Sequence, residues 1–151
     1  MSLYPWGCKY FKFPVGHPTI HLDCWDVQAM LAKEGQVRCT VLPPRDIYHP
    51  VLPYRCNGRL LFCLCRTCAE SSSQEQCSHL KDFERALTAT WVVDGIRFAD
   101  EHGYNVLKIH EFYEYEITQY DPKTGEGGHF VRYIDTFLKL KAEASGYPGW
   151  V

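Results

Sequence analysis

The chain lacks any long apolar run. None of its segments approaches the roughly 18 consecutive apolar residues that a membrane-spanning helix requires. Its first residues, MSLYPWGCKYFKFPVGHP, contain no apolar core of a secretory signal peptide. We therefore expect no membrane contact and a reducing compartment, either nucleus or cytoplasm. In such a compartment the eight cysteines would be metal ligands or core thiols.

The chain also has little net charge and no internal repeat. Its formal net charge is −2, so any contact with nucleic acid must come from a local patch of basic side chains. No low-complexity linker divides the sequence. With 151 residues, of which 46% are hydrophobic and 15% aromatic, the composition predicts one globular domain with its own core.

The segment at 65–79, CRTCAESSSQEQCSH, has the spacing of a metal-ligand set. Two residues separate Cys65 from Cys68, and one residue separates Cys77 from His79. Two close pairs of thiolate and imidazole ligands, joined by a polar loop, suit a tetrahedral zinc ion. Because four protein ligands would close the coordination shell, we expect a structural Zn²⁺ that adds folding energy.

Other interpretations of the cysteines stay open. The thiols of this segment could be reduced and metal-free, and a redox Cys-x-x-Cys is a weaker alternative because no strand-then-helix context surrounds it. Cys56 is an alternative fourth ligand, since it begins the hairpin that carries Cys65. Cys63 is expected in the core, and three further cysteines have no partner at ligand spacing: Cys8, Cys24 and Cys39.

The hydrophobic pattern predicts an α+β domain with a small antiparallel sheet, two or three helices and a zinc-stabilised loop. Residues 1–22 are aromatic and proline-rich, which indicates extended segments with turns. Asn57-Gly58 is a strong hairpin turn signal. Helices are predicted at 23–34, where Asp23 can be the cap, and at 92–102 and 128–145. Strands are predicted at 36–42, 59–64, 87–91 and 104–117, the last with either a bulge or two apolar faces.

Four phrases, in one order, resemble protein-primed B-family DNA polymerases, in the style of those of Polinton (Maverick) elements and related viruses. SLYP at 2–5, followed by FPVGHP at 13–18, is similar to motif A and the phrase after it. The segments at 41–70, 87–116 and 127–148 are similar to the following palm region, before motif B. The resemblance covers nearly the whole chain. It implies a palm region with a zinc-binding insertion.

The departures from the family pattern shape the expected function. The family's D-x-x-S-L-Y-P places a catalytic aspartate three residues before the serine, but only Met1 precedes Ser2 here. No Asp-Thr-Asp of motif C occurs, and the sequence ends before motif B. Because two-metal phosphoryl transfer needs paired carboxylates, we expect no polymerisation by this chain alone. The expected single domain, 1–151, comprises a proline-rich β segment at 1–58, the zinc-binding insertion at 59–86 and a βαβα palm-like part at 87–151.

The leading expectation is DNA binding, to which the resemblance contributes. Basic and aromatic side chains around the zinc loop would contact phosphates and stack on bases: Arg45, Tyr48, Arg55, Arg59, Arg66 and Lys81. The alternative for these residues is an ordinary solvated surface. A further interpretation is an interaction module that pairs with an intact polymerase or with another copy of itself.

A metal-dependent nuclease is the alternative from another class. Imidazole and carboxylate groups on two proline-rich segments, if they converge, would hold Mg²⁺ or Mn²⁺ and activate water against a phosphodiester: His17, His21, Asp23, Asp46 and His49. Scattered histidines of this kind are more often hydrogen-bonding groups. His110, Glu111 and Glu114 form a weaker set, since neighbours on a strand point to opposite faces.

Overall fold

The computed structural model describes residues 3–23 and 26–145. Its helices are α1 (Leu3–Tyr10), α2 (Val27–Leu31), α3 (Arg66–Glu70), α4 (Asp82–Arg85), α5 (Val93–Glu101) and α6 (Val131–Ser145). Its strands are β1 (Phe13–Leu22), β2 (Gly35–Leu42), β3 (Pro53–Cys56), β4 (Arg59–Phe62), β5 (Leu87–Val92) and β6 (Asn105–Thr118).

The strands form two sheets. A four-stranded antiparallel sheet has the order β1-β6-β2-β5, and β3 pairs with β4 in a separate hairpin. This arrangement confirms the predicted α+β class with a small antiparallel sheet. Three of the six described helices, α2, α3 and α4, have only four or five residues. No described helix has both the length and the apolar character that crossing a bilayer would need.

One face of β2 forms the centre of the core. Val37, Cys39 and Val41 alternate along the strand and are fully buried, as their spacing predicted. Helix α5 packs against α2, β5 and β2, and its residues Val93 and Ile96 join the same core cluster. Burial raises the pKa of the Cys39 thiol to about 12, so Cys39 behaves as a small apolar core residue.

Strand β6 carries the irregularity that its sequence pattern predicted. The β2–β6 register shifts between Arg38 and Cys39 and again between Thr40 and Val41. These shifts let both Ile109 and Phe112 reach the core, although their odd spacing would place them on opposite faces of a regular strand.

The chain divides into two compact units: residues 1–16 with 116–151, and residues 17–115. Within the first unit, Lys9 Nζ lies 2.6 Å from Asp135 Oδ1 and the hydrogen bond raises the pKa of the lysine. Within the second unit lie the core of β2 and the Cys/His segment. The expected subdivision at residues 58 and 86 stays a prediction.

The first twenty-two residues depart from expectation. Residues 3–10 form helix α1 rather than an extended segment, and only the following strand β1 is extended as predicted. Pro5 misled the prediction because proline usually interrupts helices. It occupies the first turn here, where the missing N–H has no intrahelical acceptor and costs little.

The predicted helix at 23–34 is shorter than expected. Helix α2 has five residues, and its cap is Asp26, whose Oδ1 accepts a hydrogen bond from the Ala29 amide at 3.1 Å. Asp23, the expected cap, has a φ of 50° and lies just after β1. Trp25, expected on the apolar face of this helix, lies outside the described residues.

Gly35 tests how closely strands β2 and β6 approach each other. A Cβ at Gly35 would lie 1.9 Å from the Tyr113 carbonyl oxygen of β6, so we expect Gly35→Ala to lower the free energy of unfolding by at least about 3 kcal/mol. The matched control is Gly95→Ala in α5, where the added Cβ would meet Val92 and Leu52 at ordinary contact distance. We expect this control to gain up to about 1 kcal/mol from helix propensity.

Urea denaturation measures the free energies of unfolding of the two glycine variants. Equal free energies of unfolding for both would contradict the close approach of the two strands.

Candidate metal centre

The β3–β4 hairpin leads the chain into the Cys/His segment. Its turn is Asn57-Gly58, with φ values of 49° and 74°, the left-handed conformation that this residue pair adopts readily. After β4 the chain reaches Cys65, which is the N-cap residue of α3, and Cys68 lies inside that helix. Three residues is nearly one helical turn, so the two thiols lie on the same side of α3.

The four predicted ligand atoms converge. The Nδ1 atom of His79 lies 3.5, 3.4 and 3.5 Å from the Sγ atoms of Cys65, Cys68 and Cys77, respectively. All four atoms lie within 4.8 Å of one another. A tetrahedron built from ordinary Zn–S and Zn–N bond lengths requires S···N separations of about 3.6 Å. This cluster could therefore hold a metal ion such as zinc.

The close packing of the thiols separates their pKa values. Partial burial and hydrogen bonds with neighbouring thiols raise the pKa of Cys68 to about 12. Burial also acts to raise the pKa of Cys77, but hydrogen bonds with His79 outweigh it, and that pKa falls to about 7. The Cys77 thiol is therefore much more acidic than the Cys68 thiol. A divalent cation removes this difference, because each sulfur binds it as a thiolate.

Backbone carbonyls hold the two halves of the cluster in place. Thr67 Oγ1 donates to the Glu84 carbonyl at 2.8 Å, which joins α3 to α4. On the other side, Arg45 Nη2 donates to the carbonyls of His79 at 3.0 Å and Leu80 at 3.3 Å. The loop that carries the histidine ligand is therefore bound by a side chain from the proline-rich segment after β2.

Arg85, which the sequence analysis did not single out, connects this region to the central sheet. Its side chain is only 4% exposed, and it donates to the carbonyls of Pro43 at 2.8 Å, Pro44 at 3.4 Å and Leu64 at 3.4 Å. Pro43 and Pro44 follow β2 directly, and Leu64 precedes the first ligand, Cys65. No local pattern marks Arg85, because its partners lie 21 to 42 residues away.

A cavity of about 520 Å³ lies between the hairpin and the Cys/His loop. Cys56, Cys63 and three of the ligands, Cys65, Cys68 and Cys77, line it. Cys56, the alternative ligand, is buried at the end of β3 and is not among the four residues that converge. Cys63, expected in the core, is partly buried and packs against the core cluster, and this burial raises the pKa of its thiol.

Comparison with models of known protein families shows to which family the chain belongs. A family model described as "DNA polymerase type B, organellar and viral" matches residues 1–147. The chain belongs to this polymerase family. Searches of the curated proteins and of the solved structures found no match. The B-family resemblance is thereby confirmed; a protein-primed polymerase of a Polinton-type element or related virus stays a prediction.

In this type B polymerase chain, the predicted basic residues divide into two groups. Arg45 is engaged with backbone carbonyls, as described above, and Arg66 contacts Glu70 at 3.4 Å and the Phe83 carbonyl at 2.9 Å. Arg55 and Arg59 are exposed on the hairpin, and their guanidinium groups have no ion pair or hydrogen bond to the described residues.

The two remaining residues of that predicted set are also exposed. Lys81 Nζ lies 5.6 Å from the centre of the Phe83 ring. Tyr48 is 90% exposed, and its ring meets the neighbouring His49 ring edge-on.

The histidine and aspartate set does not form a second metal-ligand cluster in the described residues. His21 Nε2 lies 2.7 Å from Glu114 Oε2, and the same oxygen accepts a hydrogen bond from Lys33 at 2.7 Å. That lysine contact, followed by the His21 contact, lowers the pKa of Glu114. The other four predicted catalytic residues are exposed: His17, Asp23, Asp46 and His49.

The weaker set on β6 is likewise divided among separate partners. His110 Nε2 lies 2.9 Å from Thr40 Oγ1, and Glu111 contacts Arg38 at 3.7 Å. Glu114 is engaged by His21 and Lys33. These three side chains therefore connect neighbouring strands and segments and do not converge on one metal-ion position.

Substitution of a ligand tests the metal centre. We expect wild-type protein to carry about one zinc ion per chain and Cys68→Ser to lose it, because three ligands hold the ion far less tightly than four. The free energy of unfolding should fall by more than about 3 kcal/mol, since metal binding contributes directly to folding. Elemental analysis and denaturation measure the two effects.

Cys8→Ser is the matched control for the ligand substitution, because Cys8 lies in α1 outside the cluster. It should keep both the ion and the stability. A wild-type protein that is fully stable without metal would show that the cluster is a set of free thiols.

Arg85→Lys tests the connection between the metal centre and the sheet. One guanidinium nitrogen, Nη2, at the end of the long arginine side chain donates to all three carbonyls. A lysine keeps the charge but is shorter and lacks the planar group, so at least one of the three carbonyls should lose its donor. We expect a loss of about 2–4 kcal/mol in unfolding free energy and faster zinc release to a chromogenic chelator. Arg132→Lys, at an exposed position of α6, is the control and should change neither quantity.

Proposed function

We propose that this chain is a zinc-stabilised, DNA-binding part of a type B DNA polymerase. Membership of the polymerase family supports contact with DNA. The observation that favours this region as the contact is the pair of unpartnered arginines, Arg55 and Arg59, on the hairpin that leads into the Cys/His cluster. Guanidinium groups in this state are free to bind phosphate oxygens.

The metal ion in this proposal is structural. Three thiolates and one imidazole would complete a tetrahedral shell, which leaves no open position for water or substrate. Its role is to hold the polar loop at 71–76 against α3, together with the hairpin that precedes them. Zinc therefore acts on DNA binding indirectly, by keeping the arginine-bearing hairpin in one conformation.

The contact with DNA is local and aromatic as well as basic. Because the net charge of the chain is −2, phosphate binding depends on a few residues rather than on a basic surface. Exposed rings accompany the basic side chains: Phe62 with Arg59 on β4, Phe83 with Lys81 beside α4, and Tyr48 in the proline-rich segment. Exposed rings of this kind can stack on bases.

We give Arg45 and Arg66 a smaller part in the proposed DNA contact. Their guanidinium groups bind backbone carbonyls around the Cys/His loop, so phosphate contact would compete with these hydrogen bonds. We therefore assign them mainly to the support of the loop. Arg55, Arg59 and Lys81 remain the residues through which the phosphates of DNA would be bound.

The other two interpretations stay predictions. A nuclease built on the histidine and aspartate set has less support, because the described residues hold no ligand cluster there. An interaction module that pairs with a polymerase or with itself has no observation that favours it over DNA binding.

The double variant Arg55→Gln/Arg59→Gln tests the proposal. The logarithm of affinity for DNA falls with the logarithm of salt concentration in proportion to the phosphates bound. Loss of two contacts should make that slope shallower by about 1.4 to 1.8 and weaken binding at low salt. Fluorescence anisotropy with a labelled DNA that has both duplex and single-stranded parts measures both quantities over a series of salt concentrations.

Arg132→Gln, which removes one exposed cation from α6 outside the hairpin, is the control and should leave the slope unchanged. Each variant should retain about one zinc ion per chain, which separates a lost contact from a lost fold. A double variant with the wild-type slope would show that the hairpin arginines do not contact DNA.

A further inference from the structure

The cavity beside the Cys/His cluster has two chemically different walls. Arg59, Leu61 and Phe62 of the hairpin line one wall, and the polar loop with Ser73, Gln74 and Glu75 lines the other. The volume of about 520 Å³ lies within the usual range of small-ligand sites, roughly 300–1,000 Å³. A planar base with its sugar would fit such a space, but a double helix would not enter it.

The hairpin contributes an exposed aromatic side chain and a cation to the lining of the cavity. Phe62 lines the cavity although its side chain is 57% exposed, so its ring is accessible to a planar ligand. Arg59, three residues earlier on the same strand, is exposed and has no partner among the described side chains. A base against the ring and a phosphate on the guanidinium would satisfy both groups.

The loop wall determines the orientation of such a ligand. Glu75 carries a negative charge that repels phosphate, so the phosphate is favoured on the hairpin side, near Arg59. Gln74 and the two serines of this wall present donors and acceptors of the kind that bind base edges. The backbone of a bound strand would then follow the hairpin, with a base directed toward the loop.

The same features favour a single strand over a duplex. In a duplex the bases are stacked on one another and cannot lie against a protein ring, whereas unpaired bases can. A duplex also presents a higher density of negative charge, which a chain of net charge −2 with few free arginines neutralises poorly.

We propose that the cavity between the β3–β4 hairpin and the Cys/His loop binds one nucleotide of single-stranded DNA, with the base on Phe62 and a neighbouring phosphate on Arg59. This inference rests on the proposed DNA-binding function and specifies its ligand. The zinc ion would form the site by fixing the loop wall opposite the hairpin.

Affinity measurements test the choice of ligand. Fluorescence anisotropy with labelled oligothymidine and with a duplex of equal length should show tighter binding of the single strand. Phe62→Ala should weaken binding of the oligothymidine about tenfold, which corresponds to the loss of one stacked base. Binding of the duplex should change much less, and the zinc content should stay at the wild-type value.

Phe98→Ala is the matched control, because Phe98 is 50% exposed on α5 and does not line the cavity. It should bind both DNAs as the wild type does. An unchanged affinity of Phe62→Ala for oligothymidine would overturn the inference, as would tighter binding of the duplex.

Photo-crosslinking locates the base directly. A single strand that contains 5-iododeoxyuridine should crosslink to the tryptic peptide that contains Phe62, and Phe62→Ala should abolish that adduct. Crosslinks elsewhere only would overturn the inference.

The two proposals fail in different ways. If the Arg55→Gln/Arg59→Gln variant binds DNA weakly while Phe62→Ala binds normally, the nucleotide site is wrong and the DNA-binding function stands. If the wild-type protein binds neither DNA at low salt, both proposals are wrong.

Discussion

The guanidinium group of Arg85 is the contact on which the geometry of the metal centre depends. It lies buried with no carboxylate partner among the described residues, and its Nη2 donates to three backbone carbonyls, two after β2 and one before Cys65. A buried cation is costly unless its donors are used, so this arrangement strongly favours one position of the hairpin end against the sheet. The Cys/His loop therefore would not depend on zinc alone for its place in the fold. A bound ion would close the loop locally, and Arg85 connects the loop to the segment that follows β2.

This arrangement divides the basic residues by function. Arg45, Arg66 and Arg85 all donate to carbonyls around the candidate metal centre, so these side chains stabilise the backbone there. Arg55 and Arg59 lie on the hairpin, with no such partners in the described chain. A near-neutral protein binds a polyanion best where cations remain free, which is why the proposed DNA contact is placed on the hairpin. In that proposal the exposed Phe62 on the same hairpin would stack on an unpaired base.

Much of the fold could be predicted from the sequence because the relevant signals are local. The alternation of Val37, Cys39 and Val41 marks a half-buried strand, and Asn57-Gly58 marks the hairpin turn. The ligand set follows from spacing, since two residues between Cys65 and Cys68 place both thiols on one side of a short helix. The errors were also local. Pro5 was taken as a helix breaker although it lies in a first turn, and Asp23 was chosen as the cap over Asp26.

The sequence by itself determined which residues could ligate a metal and which strand face is apolar, because both depend on the fixed geometry of a few consecutive residues. The tertiary structure alone decided which charges are free. Glu114 binds His21 and Lys33, and Arg45 binds the backbone of the loop that carries His79. The partners in these contacts are 34 to 93 residues apart in the sequence. Such partners are chosen by the folding of the sheet and hairpin, so no spacing rule reveals them. For the same reason, the convergence of four ligands was predictable, and the failure of the histidine and aspartate set to form a second cluster was not.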